Sequence, residues 1–353
     1  SLRLFFANGG SICYIVSVGD YSGAVNAKDL NDDAEGNGIP TLLKVPEPTM
    51  LVIPDAVLLE ENDCSSLQQA MLSHCGMAMK SRVAILDVYA GDQPRTYDDN
   101  DIISKSREGL GNNFLQWGSS YYPFLNSTIV QADDVDFSNI SNLDDLIPLL
   151  DAEADAMYGD DSQVIKDETA KLTGENDPLS LHQTLAAKLP LYKAILGEIR
   201  HGLNVLPPSG GMAGVISMVD GEIGVFKSPA NVSMGSIVSP TVNLTSKDQE
   251  DLNVPLNGKA INAIRSFPGK GVLVWGARTL DGNSQDWRYL SVRRTVIMIE
   301  QTLKIASEGY VFQPNVVNTW IAIKGMMTNF LKDQWKQGAL AGATPEDSFS
   351  VDV

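Results

Sequence analysis

The chain has 353 residues, 43% of them apolar and 20% charged, the balance of a globular protein with room for two cores. Its net charge of −18 excludes a dominant nucleic-acid-binding face, because phosphate contact needs a basic surface. No apolar run is long enough to cross a bilayer, and three irregularly spaced cysteines, Cys13, Cys64 and Cys75, argue against a disulfide framework and for a reducing compartment.

SLRLFFANGG reads as the end of a helix and a Gly turn, so the chain reads as starting inside a fold. ICYIVSV over 12–18 predicts a buried strand, and the Gly-, Asn- and Asp-rich stretch 19–48 predicts a loop with one short strand. A strand over 50–53, a helix over 65–80 capped by Asn62 or Asp63, and a strand over 82–88 predict a right-handed βαβ unit with parallel strands. A helix over 101–113 and a strand over 119–125 make a second round. Residues 131–178 carry about 14 Asp and Glu against two Lys, which predicts a solvated surface segment with short helices at 143–158 and 161–172. An amphipathic helix over 179–199 follows. The alternation resumes at 210–218 with a strand over 222–225, so 131–206 reads as an elaboration of an α/β core. From 227 the chain is extended and turn-rich as far as 253. A helix over 255–264, a strand over 272–275, a polar turn, a second strand and a helix ending at Glu300 come next. Pro314 breaks the chain, and a helix over 318–337 ends at Gly338 and Gly342. The final SFSVDV alternates like a strand and reads as cut. The divisions are therefore 1–20, a strand and turn segment on a core sheet, 21–226 and 227–353.

Several runs come in one recognisable order: PANVS (229–233), GVLVWGARTLDGNSQDWRYLSVRRTVIMIE (271–300), VFQPN (311–315) and FLKDQWKQGALAGATPEDSF (330–349). Together they resemble the C-terminal domain of contractile tail sheath proteins. FFANGG, CYIV, LVIPDA, AILDV and YYPFL resemble the family's earlier part more loosely. The resemblance implies an α/β fold, with a subtilisin-like βαβ middle domain bearing the acidic helical elaboration and an α+β C-terminal sheath domain. It implies a structural subunit that polymerises in stacked hexameric rings around an inner tube, between baseplate and terminator proteins. Contraction would drive the tube through a target envelope. It implies no enzyme activity, no cofactor, no direct nucleic-acid contact and no membrane insertion. Assembly in the bacterial cytoplasm would be followed by a place in a virion tail or a released phage tail-like particle. The acidic stretch is closer to sheaths of extracellular injection systems than to minimal phage sheaths. Family members also carry terminal arms whose strands join neighbours' sheets, and this sequence shows neither arm.

A subtilisin-like middle raises a hydrolase reading. The nearest match to a nucleophile setting is Ser209-Gly210-Gly211-Met212-Ala213, with Gly211 where the nucleophile would stand and only Asp55 and His74 as partners. Without a hydroxyl there, a general base has nothing to activate. The alternative is a degenerate serine-hydrolase-like fold acting as a baseplate or surface binding module. His74, His182 and His201 lack ligand spacing. Residues 281–286 resemble a calcium loop without its closing Glu, and 266–271 lack the first Gly and the Ser or Thr of a phosphate loop. Arg278, Arg288, Arg293 and Arg294, with Glu300, read as ion pairs within the subunit or across an interface rather than as an anion site. Trp275 and Trp287 read as core. In the helix over 318–337, Trp320, Ile323, Met327, Phe330 and Leu331 form an apolar face. Lys324, Lys332 and Lys336, with Thr328 in the gap, form a stripe on another face. The resemblance makes that stripe the tube contact; the alternative is a solvated lysine face.

Overall fold

Five consecutive buried residues, Val83–Asp87, require cover on both faces, and this dictates a layered α/β arrangement. The computed structural model describes residues 1–20, 23–174 and 178–353. They form two units, one of Ser1–Phe124, Pro207–Gly235 and Ser239–Val353, the other of Leu125–Leu206 and Ser236–Val238.

In the first unit, β1 (Met50–Val52) pairs in parallel with β2 (Val83–Asp87), and β2 with β3 (Gly118–Tyr122). Between β1 and β2 lies α2 (Glu61–Ser73), after α1 (Leu2–Ala7) at the chain start. The expected βαβ unit is present. Helix α2 runs on as a π-helix, His74–Met79, and stops at Lys80, whose φ of 54° is left-handed. Its N-cap is Glu60, so Asn62 and Asp63 lie in the first turn instead of capping it; Asp63 there faces the positive end of the helix dipole. Helix α3 (Ile102–Gly109) is capped by Asp101, which accepts from the Ser104 amide.

The sheet then departs from expectation. Residues 255–264 form no helix. Pro255 and Gly258, the latter at φ +80°, hold a turn, and the chain enters β5 (Asn262–Phe267), with Ile261, Ala263 and Ile264 buried. β5 runs parallel to β3 and antiparallel to β6 (Gly271–Val274), which pairs with β4 (Val232–Ser233). The order is β1-β2-β3-β5-β6-β4. Residues 222–225 make a turn where α4 (Ser209–Glu222) ends, with Gly224 at φ +131°. Residues 12–18 are not a strand. They pair with no edge, and Ile12 and Ile15 stand 83% and 69% exposed. Helix α5 (Ser246–Asn253) covers β5, and Val88, Ile103, Tyr122, Leu244, Leu252, Ile261 and Ala263 pack as one cluster. A partly buried ionic network fastens this corner. Arg95 reaches Asp101 at 2.8 Å and Asp251 at 2.5 Å, and Arg107 reaches Asp251 at 3.1 Å.

The second unit is helical. Leu143–Tyr158, Ser162–Thr169, Pro178–Lys188 and Pro190–Asn204 surround a core that includes Leu146, Leu150, Ile165, Leu185, Tyr192 and Leu196. The single helix expected over 179–199 is two, because Pro190 has no N–H to continue the first and is well placed to start the second. Leu125–Ser127 pairs antiparallel with Val205–Leu206. Among the described residues of this unit no Asp or Glu is buried, so its charge lies on its surface.

Candidate assembly surface

The C-terminal part of the first unit grows out of β5 and β6. After β6 the chain runs beside β3, where Asn262 organises it. The Asn262 amide donates to Ser119 Oγ (2.9 Å), the Ser120 carbonyl (3.1 Å) and the Arg278 carbonyl (2.9 Å), and its oxygen accepts from the Arg278 amide (2.7 Å). Gly276 is required here, since a Cβ would lie 2.8 Å from Asn262 Oδ1. The second strand expected after the polar turn is only a single bridge between Arg278 and Tyr289. Thr279 closes the loop by donating to the Trp287 carbonyl at 2.7 Å. Helix α6 (Leu290–Ser307) follows.

The four arginines divide. Arg293 is buried between Trp117 and Trp287, its guanidinium 4.2 Å from each ring centre, with Glu300 at 3.4 Å. Burial pushes its pKa below the ordinary arginine value, against the pull of Glu300. Arg294 grips Asp220 of α4 through both terminal nitrogens, Nη1 to Oδ1 at 2.8 Å and Nη2 to Oδ2. Arg278 donates to the Gly282 carbonyl at 3.0 Å and lies 5.6 Å from the Tyr289 ring centre. Arg288 lies 5.3 Å over the same ring. Sequence reasoning missed Asp220 and Trp117 as partners. Asp220 had one available signal: it is one of two acids on the Gly-rich, otherwise apolar helix α4. Trp287 is half-buried, while Trp275 is 37% exposed.

Helix α7 (Val317–Lys336) contains no buried residue. Ile323, Met327, Phe330 and Leu331 are only half-covered and Trp320 is exposed. Lys324, Lys332 and Lys336 are exposed along it, with Thr328 half-exposed among them. Lys324 lies 3.8 Å from Asp352 and Lys336 lies 3.2 Å from Asp333, both solvent-exposed pairs of small energetic weight.

The hydrolase candidates have separate local settings. Asp55 lies in the short 3-10 helix Pro54–Leu58. His74 is buried 3.4 Å from Arg82 Nη1, and burial together with that cation pushes its pKa down to about 4. Gly211 serves packing: a Cβ there would meet Met234 at 2.7 Å and Leu4 of α1 at 3.1 Å. The acid facing the start of α4 is Asp87, at the end of β2, which accepts the Ser209 amide at 2.8 Å. Burial pushes its pKa up to about 7, against the hydrogen bonds from Ser209. Among the described residues no three His, Cys, Asp or Glu are grouped to hold a metal ion, and no helix is long and apolar enough to cross a membrane.

Residues 283–353 match the family model described as the phage tail sheath C-terminal domain. No curated protein sequence matches the chain. Among solved structures, it resembles a chain of the anti-feeding prophage baseplate, with a TM-score of 0.60 and 25% identity over 98% of this chain and 67% of that one. It resembles the contracted helical sheath of the same particle with a TM-score of 0.59 and 26% identity over 97% and 68%. A sheath tail protein from Desulfitobacterium hafniense, at a TM-score of 0.50 and 9% identity over 92% and 52%, shares the fold alone. The chain thus spans about two thirds of the length of the prophage chains. The motifs, the mixed α/β fold and these likenesses together make the chain a homologue of the sheath subunits of contractile injection systems.

Proposed function

We propose that this chain is a non-enzymatic subunit that stacks in hexameric rings around an inner tube and contracts to drive the tube through a target envelope. The observation that carries the reading is α7, a helix of 20 residues without one buried side chain. A helix with an apolar face of this kind completes its packing against a partner. In this reading 21–226 form a subtilisin-like domain elaborated over 131–206 and 227–353 form the sheath domain, while residues 1–20 contribute α1, which packs on α4, and no strand of the core sheet. Lys324, Thr328, Lys332 and Lys336 hold the tube. Arg278 and Arg288, half-exposed, pair across subunits, whereas Arg293 and Arg294 are committed internally. Baseplate and terminator proteins bound the array. It assembles in the bacterial cytoplasm and then serves in a virion tail or a released extracellular particle. The energy of contraction is interfacial: packed interfaces switch between discrete arrangements, with no cofactor. Gly211 at the nucleophile position supports the absence of hydrolysis.

The test is expression with natural termini together with the tube protein, followed by negative-stain electron microscopy. Hollow striated tubes are expected. Monodisperse particles under the same conditions would overturn the reading and favour a binding module.

A further inference from the structure

Arg82 stands apart from the other buried arginines. Arg107, Arg293 and Arg294 each reach a carboxylate, whereas Arg82, fully buried, reaches none among the described residues. Its Nη2 donates to the Val45 carbonyl at 2.5 Å, its Nη1 lies 3.4 Å from His74 Nε2, and its Nε has no partner. A guanidinium only donates, so Nε2 supplies the lone pair and the imidazole proton sits on Nδ1. A neutral ring and one carbonyl are therefore what this cation has in place of a counter-ion, and a buried charge depends on such partners.

His74 opens the π-helix His74–Met79. The 3-10 helix Ile39–Lys44 packs on it, and the chain just beyond brings the Val45 carbonyl to Arg82. Leu43, Lys44, Pro46 and Glu47 in this covering stretch are exposed. Thr41, Leu42 and Val45 also line a groove of about 520 Å³, together with Tyr14, Ile15 and Val16. The charge that His74 faces is Arg82. Arg82 also faces Cys75, whose thiol burial pushes up to about 12 and keeps neutral, and Glu47 on the covering stretch. Leu115–Trp117, which also packs on the π-helix, has no ionisable group.

We infer that the His74–Arg82 contact is an acid-sensitive latch: a proton taken up at His74 Nε2 displaces the Arg82 guanidinium, which lets go of the Val45 carbonyl and frees residues 39–48 together with that wall of the groove. Protonation removes the lone pair and sets two buried cations against each other, so both are better accommodated once water reaches them. His74 titrates at about 4 in the closed form, below the ordinary imidazole value of 6.5. The latch is therefore fully closed above about pH 6.5 and weakens as pH falls toward 4. Between pH 6.5 and pH 4.5 the open population rises about 40-fold if the released ring is fully hydrated.

The test is hydrogen exchange of the full chain at pH 6.5 and pH 4.5, with protection corrected for the intrinsic exchange rate at each pH. Protection over 39–48 is expected to fall at least tenfold, while that over Val83–Asp87 changes less than twofold. His74→Gln keeps an acceptor for Arg82 and cannot take the proton, so its 39–48 protection should change less than twofold. Glu47 remains in that variant, and an equal fall there would assign the effect to Glu47 or another acid and overturn the latch. An unchanged parent, or a fall over 83–87 in step with 39–48, would overturn it as well. Should His74→Gln fail to fold, ring-carbon NMR of the parent decides. One of the three histidines should remain neutral at pH 5.5 as the Nδ1–H tautomer, and three protonated rings at that pH would overturn the inference.

Discussion

The Arg294–Asp220 pair ties α6 to α4, and its removal tests whether the C-terminal motif arginines act inside the subunit. The Arg294 side chain is 6% exposed and that of Asp220 is 22% exposed. Arg294→Met leaves a mostly buried carboxylate without its fork of donors. Breaking such a pair costs about 3 to 5 kcal/mol, and the residual exposure of Asp220 sets the lower end, about 3 kcal/mol. The first unit has about 270 residues. An unfolding entropy of about 2.1 cal/mol/K per residue then converts the loss to a fall in Tm of about 5 °C. Arg294→Lys keeps the charge but loses the bidentate geometry and should fall between. Arg294→Met combined with Asp220→Leu replaces the pair by apolar groups and should recover to within about 1 kcal/mol of the parent. Thermal and urea unfolding of the parent, Arg294→Met, Asp220→Leu and the double variant, followed by circular dichroism, would give all four corners of the cycle. A coupling energy below about 0.5 kcal/mol, or a single-variant shift under about 1 °C, would refute the argument.

Arg293→Lys removes a planar cation from between Trp117 and Trp287 and should cost about 1 to 3 kcal/mol, read as a lower Tm with altered near-ultraviolet dichroism. The folded pKa of Asp87, about 7, lies above its ordinary value. The stability it contributes is therefore full below about pH 4 and is lost as pH rises through 7. Asp87→Asn can still accept the Ser209 amide, so its urea midpoint should decline less between pH 4.5 and pH 8 than the parent's; parallel declines would contradict this. Changing Lys324, Lys332 and Lys336 together to Glu should abolish co-sedimentation with the tube protein, while Tm moves by no more than about 1 °C because all three are exposed. Normal co-sedimentation would remove the stripe from the tube contact.

The parallel core was legible because its signals are local and repeated: apolar runs of strand length, a helix between them, and punctuating turns. The helix expected around 143–158 is present with those bounds. The errors have separate causes. Residues 262–267 alternate weakly, and their strand state is fixed by pairing on both sides, with β3 and β6, which no local pattern reports. The 12–18 segment has strand composition without an edge to receive it. Pro190 interrupts an amphipathic pattern that continues on both sides of it, so the pattern alone reads as one helix. Of the candidate site, the residue types were legible and their partners were not. Asp220 lies 74 positions from Arg294 and Trp117 lies 176 from Arg293, so only the fold could join them.

The short join between β3 and β5 acquires a further meaning as a load path. Ladders of three and four paired residues hold β1, β2 and β3 together, and four pairs join β5 to β6. The parallel and antiparallel halves meet through only two pairs, Asn262 with Tyr121 and Ala263 with Tyr122. Two bonds from the Asn262 amide, to Ser119 and Ser120 of β3, reinforce that seam, two more tie Asn262 to Arg278, and the Leu280 amide adds another to the Gly118 carbonyl at 2.9 Å. A pull transmitted from the C-terminal helices into the parallel half is carried there in shear. Asn262 is thus one rivet across the seam, beside the Arg95 and Arg107 links to Asp251, and the two together would resist one half of the sheet sliding from the other.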